Sequence, residues 1–257
     1  MITIAVANQK GGVGKTTISF NLTHELAKKR GVNILAIDND SQAHLTGALL
    51  ENPHELSANI VHAYEDQPIT PHPVNGSIHL IGADDRLARI TDGDLDTLFL
   101  LREALDNLNG KTNEAEFDYA IIDCLPSSSF VQMAALAAAD YVLIPVKPSG
   151  FDLRGMVSFM NNINKIKKRL NPNLEILGIV INQADGRKPI YEKEMEEALR
   201  DNYKDLVFKT TINKRVNIAT SPAFNKPITT YDPKSPSANE FKALTKEIMK
   251  KIKEAQK

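Results

Sequence analysis

The residues best able to do chemistry lie close together near the start of the chain, in residues 9–17, which read Q-K-G-G-V-G-K-T-T. Glycines let consecutive backbone N–H groups point into one concavity, an arrangement that suits phosphate oxygens. The Lys15 ammonium can reach the β- and γ-phosphates of a nucleoside triphosphate, and the Thr16 hydroxyl can complete the coordination of Mg²⁺. This segment therefore predicts a phosphate-binding loop.

The flanking segments are the two elements that such a loop requires. An apolar run at residues 2–7 indicates a buried strand. After the loop, a helical pattern places Leu22, Leu26 and Ala27 on one face, and Gly31 is positioned to end the helix. The helix N-terminus would add the positive end of its dipole to the loop. A glycine-rich turn with incidental lysines does not need this strand and helix, so the pattern favours phosphate binding.

Acidic residues end two further apolar runs. Asp38 ends the run at residues 33–38 and is followed by Asp40, whereas Asp123 ends the run at residues 117–123. In open α/β sheets, ligands bind beyond the carboxyl ends of the strands, where carboxylates can hold magnesium through water or orient an attacking water. A simple Asx turn is the alternative after the first run, but it does not require two acids. We therefore expect these carboxylates to lie beside the loop.

The loop departs from the standard phosphate-binding pattern, because Gln9 stands where that pattern has its first glycine and Lys10 adds a second lysine. The string K-G-G-V-G-K-T-T resembles the deviant Walker A motif of the ParA/MinD ATPases. Similar strings extend the resemblance over nearly the whole chain. Residues 38–42 resemble the family's D-x-D-P-Q with Ser41 in place of the proline, residues 123–127 resemble its D-x-P-P-S loop with Leu125 in place of the first proline, and residues 226–235 are close to its C-terminal signature, here K-P-I-T-T-Y-D-P-K-S.

This resemblance implies a ParA/Soj-type ATPase that hydrolyses ATP to ADP and phosphate with Mg²⁺. It implies that Lys10 reaches phosphates bound by a partner subunit, so that ATP holds a homodimer together, and that Asp40 positions the hydrolytic water. The implied catalytic residues are Lys10, Lys15, Asp38 and Asp40; the nucleotide-binding residues are Gly11, Gly12, Val13, Gly14, Lys15, Thr16, Thr17, Asn182 and Pro222, the last two beside the adenine; the metal-binding residues are Thr16, Asp38 and Asp123.

Charge is unevenly distributed along a chain whose net charge is −1. Acidic residues predominate in residues 1–150 and basic residues in residues 151–257. This suggests a basic face for a polyanion, although solvated lysines on amphipathic helices would give the same pattern. Lys214 stands where members of the resembled family carry a DNA-binding arginine, whereas Asn217 stands where a second arginine often sits. The candidate DNA-binding residues are Arg187, Lys188, Lys214 and Arg215.

The resemblance further implies what such an ATPase would work with. It implies non-specific DNA binding by the ATP-bound dimer and stimulation of hydrolysis by a ParB-like adaptor. The cargo would be a plasmid, a chromosome or a protein assembly such as a microcompartment, and the sequence leaves the choice open.

Strands alternate with helices along the chain, which predicts an α/β fold. We expect a mostly parallel twisted sheet with helices on both faces, of the phosphate-loop NTPase class, in a single domain over residues 1–257 without an N-terminal helix-turn-helix extension. Residues 51–76 predict only a short helix and surface loops. The predicted strands cover residues 2–7, 33–38, 78–81, 117–123, 141–146 and 176–182, and the predicted helices after the first cover about 98–108, 131–139, 153–170 and the stretch from 237.

Composition limits the function classes. No apolar run is long enough to span a bilayer, and Met1 leads directly into a strand, so we expect no signal peptide. Cys124 is the sole cysteine, which excludes an internal disulfide framework and the bridged cluster of nitrogenase-type iron proteins. These features predict a cytoplasmic protein, which the resemblance would associate with the nucleoid.

Two other functions remain open. A MinD-like membrane-associated positioning ATPase shares the loop but needs a C-terminal amphipathic membrane helix, whereas the apolar residues from Phe241 to Ile252 are spaced to pack on the domain. Metabolic ATPases similar to dethiobiotin synthetase or to cobyrinate amidases use related loops. They generally lack a lysine at the position of Lys10 and the signature at residues 226–235.

Overall fold

One sheet runs through the part of the chain that the structure, a computed structural model, describes: residues 1–111, 116–149, 153–185 and 190–256. Its strands are β1 (Ile2–Val6), β2 (Ile34–Asn39), β3 (His72–Asn75), β4 (Ile78–Ile81), β5 (Tyr119–Cys124), β6 (Tyr141–Val146), β7 (Glu175–Ala184) and β8 (Ile212–Asn213). They lie in the order β3-β4-β2-β5-β1-β6-β7-β8. Every neighbouring pair is parallel except β3 and β4.

Helices connect most of these strands. They are α1 (Lys15–Ala27), α2 (His44–Leu49), α3 (Val61–Tyr64), α4 (Leu95–Lys111), α5 (Phe130–Ala138), α6 (Leu153–Arg169), α7 (Ile190–Tyr203), α8 (Val216–Thr220), α9 (Ile228–Tyr231) and α10 (Pro236–Ala255). Short 3-10 helices lie at Pro53–Glu55, Asp85–Arg89, Lys204–Leu206 and Ser221–Phe224. No helix among the described residues is long and apolar enough to cross a bilayer.

The core lies on both faces of the sheet, because successive side chains along a strand point to opposite faces. In β1, Ile4 and Val6 pack against α1 and α10, whereas Ala5 belongs to the cluster formed with α4, α5 and α6. The central strands β2 and β6 are buried along their whole length. The predicted α/β fold, a mostly parallel sheet covered on both faces, is confirmed.

All six predicted strands are present, with ends within two residues of those expected. The first helix ends earlier than expected, at Ala27, and Gly31 instead takes a left-handed conformation (φ 74°) in the turn before β2. Such a conformation favours glycine. Cys124 is buried at the end of β5.

Several elements of the structure were not predicted from the sequence. The polar residues 51–76, predicted as a short helix and loops, also contain the edge strand β3, which pairs antiparallel with β4. Its sequence H-P-V-N has no apolar alternation, and Pro73 is tolerated because the strand lies at the edge. The two-residue strand β8 and four helices were not predicted either: α2, α7, α8 and α9. Only Leu199 of α7 is fully buried, so its sequence carries a weak apolar signal.

His24 in α1 is a largely buried histidine whose protonation opposes folding. Its ring meets Phe20 edge-on, with the centroids 4.8 Å apart, and its Nε2 has no hydrogen-bond partner among the described residues. Burial lowers the pKa of His24 from 6.5 to about 4, and the nearby Lys28 ammonium acts in the same direction. The unfolded chain therefore binds this proton as the pH falls below 6.5, whereas the folded protein binds it only near pH 4.

We expect the free energy of unfolding to decrease between pH 6.5 and pH 4 more steeply in the wild-type protein than in His24→Leu. The difference should reach about 3 kcal/mol at pH 4, because each pKa unit corresponds to about 1.4 kcal/mol. Urea unfolding of both proteins across this range measures it, and all other titrating groups are common to the pair. Parallel pH profiles would show that His24 is not the group responsible.

Candidate nucleotide-binding site

The glycine-rich loop lies between β1 and α1, at the carboxyl edge of the sheet. Gly12 and Gly14 have φ angles of 71° and 86°, a left-handed conformation that strains other residues. A Cβ atom at Gly14 would lie 2.1 Å from Nδ2 of Asn182. Gly14 is therefore required both for its backbone conformation and for the close approach of β7.

Two side chains from β7 hold this loop. The Asn182 amide donates to the Val13 carbonyl (2.8 Å), and the Gln183 amide donates to the Gly12 carbonyl (3.0 Å). Gln183 itself takes a left-handed conformation, with φ 55°. These contacts turn the loop carbonyls toward β7, which leaves the loop N–H groups for a ligand on the other side.

Lys15 lies inside the loop at the start of α1. It is only 7% exposed, and its ammonium donates to the Lys10 carbonyl at 3.2 Å. Burial lowers the pKa of Lys15, whereas the Asp123 carboxylate acts in the opposite direction. A buried ammonium beside a glycine-rich loop suits an anion such as a phosphate.

Asp38 and Asp123 lie side by side, because they are register partners at the ends of β2 and β5. Both are buried. Burial raises the pKa of Asp38 to about 6 and that of Asp123 to about 7, and the neighbouring Asp38 carboxylate contributes to the second shift. Two like charges held this close in a buried site favour a cation between or beside them.

Each carboxylate is oriented by hydroxyl and N–H groups. Asp123 accepts a hydrogen bond from Ser19 Oγ (2.9 Å) and also hydrogen-bonds the Thr16 hydroxyl. Asp38 Oδ2 accepts from both the N–H (2.7 Å) and the hydroxyl (2.8 Å) of Thr46 in α2. Asp38 therefore fixes α2 to the end of β2.

Asp40 differs from these two acids, because it is partly exposed and borders a cavity. Its N–H donates to Asp38 Oδ1 (3.3 Å), and its own Oδ1 accepts from the Gln42 N–H (3.0 Å), which forms an Asx turn. The Asp40 carboxylate can thus contact a molecule in this cavity, whereas Asp38 and Asp123 are buried and do not line it.

The cavity in front of the loop, here called the loop cavity, has a volume of about 540 Å³, within the usual range for small-molecule sites. It brings together most of the predicted loop residues with Asp40 and Pro222. The lining residues are Gly12, Gly14, Lys15, Thr16, Thr17, Phe20, Asp40, Gln42, His44, Ala48, Pro126, Gln183 and Pro222.

A second cavity of about 580 Å³, here called the side cavity, shares Thr17 and Gln183 with the loop cavity. It is bordered by Asn182, Asp185, Ile218, Ala219 and residues 213–216. Together the two cavities give a phosphate-binding region next to a less polar region that could hold a sugar or base. Asn182 borders the side cavity, but it is 1% exposed and its amide donor is engaged by Val13.

The residues present suit a magnesium ion bound with a phosphate group. Magnesium in such sites is usually held by one or two carboxylates together with phosphate oxygens and water, and the Thr16 hydroxyl and Asp123 lie in contact here. Within the described ranges, no cluster of three or more His, Cys, Asp or Glu side chains could hold a metal by itself. An ion here would need oxygens from its ligand.

Several residues at this site were not identified from the sequence. Gln42, His44, Pro126 and Gln183 border the loop cavity, and each lies within four residues of a predicted site residue. Ser19 and Thr46 orient the carboxylates but stand in no motif. Only their contacts in the folded chain identify them.

The candidate DNA-binding residues are in different environments. Lys214 is exposed at the side cavity. Arg215 instead forms an ion pair with Glu240 of α10 (2.7 Å), and Asn217 donates to Asp232 Oδ2 (3.0 Å). The other two candidates, Arg187 and Lys188, lie outside the described residues.

Comparison with known proteins places the chain in a family. The AAA domain family model matches residues 1–176. The chain is 34% identical to the chromosome-partitioning ATPase Soj of Thermus thermophilus, over 98% of this chain and 97% of that protein. It is 36% identical to the chromosome partitioning protein ParA of Myxococcus xanthus, over 96% of this chain and 88% of that protein.

Solved structures agree with the sequence relatives in fold. Cobyrinic acid a,c-diamide synthase from Mycobacterium smegmatis, with a bound ATP analogue and magnesium, superposes with a TM-score of 0.81 at 25% identity, over 98% of this chain and 96% of that one. A plasmid partition protein from Borrelia burgdorferi bound to AMPPNP superposes with a TM-score of 0.77 at 26% identity, over 97% of this chain and 98% of that one. From the match to the AAA domain model and the similarity to Soj and ParA over nearly its whole length, the chain belongs to the Soj/ParA family of partitioning ATPases.

Proposed function

We propose that this protein is an ATP-dependent dimerising ATPase that binds DNA without sequence preference and positions a cargo, with hydrolysis stimulated by a ParB-like adaptor. Residues 1–257 would act as a single domain, in the cytoplasm and on the nucleoid. The Soj and ParA relatives are named for chromosome partitioning, and the Borrelia protein is named for plasmid partition. These names favour DNA as the cargo over a protein assembly.

The placement of Lys10 carries this proposal. The two lysines of the loop border different cavities. Lys15 borders the loop cavity, whereas the exposed side chain of Lys10 borders a separate cavity of about 330 Å³, here called the outer pocket, together with Gln9 and Lys147. Lys15 would thus serve the nucleotide of its own chain, and the exposed Lys10, at a different cavity, would contact the phosphates of a nucleotide bound by a second copy.

ATP and Mg²⁺ fit the residues of the loop cavity. The ATP analogues bound by the two structural relatives, with magnesium in the mycobacterial synthase, support the same assignment. When bound, Mg²⁺ would neutralise charge that develops on the phosphate oxygens. The loop N–H groups and Lys15 would hold the phosphates, and Thr16 and Asp123 would hold the metal with its water shell. Asp40, at the cavity wall, orients the attacking water. Lys10, supplied by the other chain of the dimer, would stabilise the negative charge that develops on the phosphates, as an arginine finger does.

The two rival functions are less well supported. A MinD-like protein needs a free apolar face on its C-terminal helix, but Phe241, Leu244, Ile248 and Ile252 of α10 are each at most 1% exposed. A metabolic ATPase of the dethiobiotin synthetase or amidase type shares the fold, as the mycobacterial synthase illustrates. The higher identity to Soj and ParA, together with Lys10, favours the partitioning function.

Lys10→Ala is expected to abolish ATP-dependent dimerisation while leaving ATP binding by the monomer nearly unchanged. Turnover should fall by roughly 10³-fold or more, the loss expected when charge stabilisation in trans is removed. Light scattering with and without Mg·ATP, nucleotide binding by fluorescence and phosphate release measure the three quantities.

Lys147→Ala is the matched control, because it removes one cation from the same outer pocket. We expect it to dimerise normally with ATP. Lys15→Ala should lose nucleotide binding altogether, which distinguishes the two loop lysines. ATP-dependent dimers and normal turnover in Lys10→Ala would contradict the proposed shared site.

A further inference from the structure

The C-terminal helix α10 has three different flanks. Its apolar flank is buried against β1, β7 and α1. Its acidic flank is engaged by the segment that leads from α7 to α8. Glu240 accepts from the Asn213 N–H (3.1 Å) and pairs with Arg215, and Glu247 accepts from the N–H groups of residues 209 and 210, each at 2.9 Å.

The third flank is basic. Four lysines of α10 lie on this flank. A helix has 3.6 residues per turn and rises 1.5 Å per residue, so these lysines span about 80° around the helix axis and about 16 Å along it. Together with Lys29, which follows α1, they line a groove of about 570 Å³. We call these residues the basic track: Lys29, Lys242, Lys246, Lys250 and Lys253.

Acidic residues do little to neutralise the basic track. Glu25, which also borders the groove, is buried and engaged by Lys28 and by the Thr229 hydroxyl. Glu254 pairs with Lys250 at 3.7 Å, but both side chains are largely exposed, and such surface pairs are weak. The two other acids of α10, Glu240 and Glu247, lie on the acidic flank and contact the segment between α7 and α8. The track therefore presents a surface of exposed ammonium groups.

We propose that the basic track binds the phosphate backbone of double-stranded DNA. This inference rests on the proposed DNA-binding function and identifies its surface. An elongated row of flexible lysines suits phosphate contacts that carry no sequence information. Of the two candidates from the family resemblance that the structure describes, Arg215 is held by Glu240, whereas Lys214 is exposed but stands alone at the side cavity rather than in a row of cations. A lipid surface is less suitable, because the apolar flank of α10 is buried.

The test replaces the four lysines of α10 in the basic track by glutamine and measures binding to unrelated DNA duplexes with ATP over a salt titration. Affinity should fall at least about 30-fold. The slope of log affinity against log salt should decrease by about 3 to 4 for each basic track of the dimer that contacts the DNA, since each phosphate contact contributes roughly 0.9. Basal ATPase activity should be unchanged. Lys246→Glu alone, which changes one exposed residue, should also weaken binding.

The matched control removes four cations from the end of α6, where Lys165, Lys167, Lys168 and Arg169 are all exposed. Their replacement by glutamine should leave DNA affinity nearly unchanged.

If the wild-type protein binds DNA but the α10 variant keeps its affinity and salt slope, the basic track is wrong and the proposed function stands. If the wild-type protein does not bind DNA, the basic track and the proposed DNA-binding function are both wrong. If the α10 variant loses the wild-type protein's binding to phosphatidylserine vesicles but still binds DNA, the proposal is overturned in favour of a membrane surface.

Asn225 carries a second, independent inference. It follows the short helix Ser221–Phe224 in a left-handed conformation (φ 51°), and its amide donates to the carbonyls of Gly47 (3.1 Å) and Ala48 (3.0 Å) at the end of α2. Helix-terminal carbonyls lack partners within their own helix, so these bonds satisfy them. Ala48 and Pro222 both line the loop cavity. Asn225 therefore ties two walls of that cavity together.

We infer that Asn225 is a positioning residue for nucleotide binding, on the basis that the loop cavity holds ATP as proposed. Asn225→Asp keeps the shape and tolerates the same backbone conformation but cannot donate to the two carbonyls. It should raise the KM for ATP about three- to tenfold with kcat nearly unchanged. Asn225→Gly, which keeps the backbone freedom without the side chain, should do the same.

The readouts separate positioning from a merely structural role. A lower Tm in both variants with an unchanged KM would overturn the inference, and so would a loss of kcat at constant KM. If the wild-type protein does not bind ATP at all, the inference about Asn225 and the proposed function are both wrong.

Discussion

Two carboxylates buried side by side are the constraint on which the site depends. Asp38 and Asp123 end neighbouring strands in register, so neither can move away from the other without breaking the β2–β5 pairing. Burial of two like charges is unfavourable, and it raises the pKa of both groups. The buried Lys15 ammonium and the surrounding hydroxyls of Thr16, Ser19 and Thr46 offset part of this cost. A bound cation would offset the rest, which makes the arrangement suitable for magnesium and a nucleotide.

The contacts of these carboxylates extend the site outward. Asp38 holds α2 through Thr46, and the far end of α2 is held by Asn225, next to Pro222. The other wall is built from β7, where Asn182 and Gln183 hold the loop itself. The cavity is thus closed by hydrogen bonds between segments far apart in the chain. A change at one wall can therefore affect the position of Asp40 without contacting the nucleotide.

The sequence predicted the glycine-rich loop between a strand and a helix, the acidic strand ends and the parallel sheet, because each depends on a local pattern. Gly14 and Lys15 stand in a motif, and the apolar runs before Asp38 and Asp123 are typical of buried strands. Residues that act through distant contacts carry no such pattern. Ser19, Thr46 and Asn225 are ordinary polar residues until the fold brings them to their partners. Arg215 shows the opposite case, since its position suggested a DNA contact and the structure pairs it with Glu240.

Complementation between two inactive variants shows whether two chains share each nucleotide site. In a mixed dimer of Lys10→Ala and Lys15→Ala chains, one of the two sites has an intact Lys15 from one chain and an intact Lys10 from the other. If two chains share each site, mixing the two proteins with Mg·ATP should restore phosphate release and form dimers that neither variant forms alone. A mixture as inactive as its components, with each variant folded and Lys10→Ala still binding ATP, would contradict it.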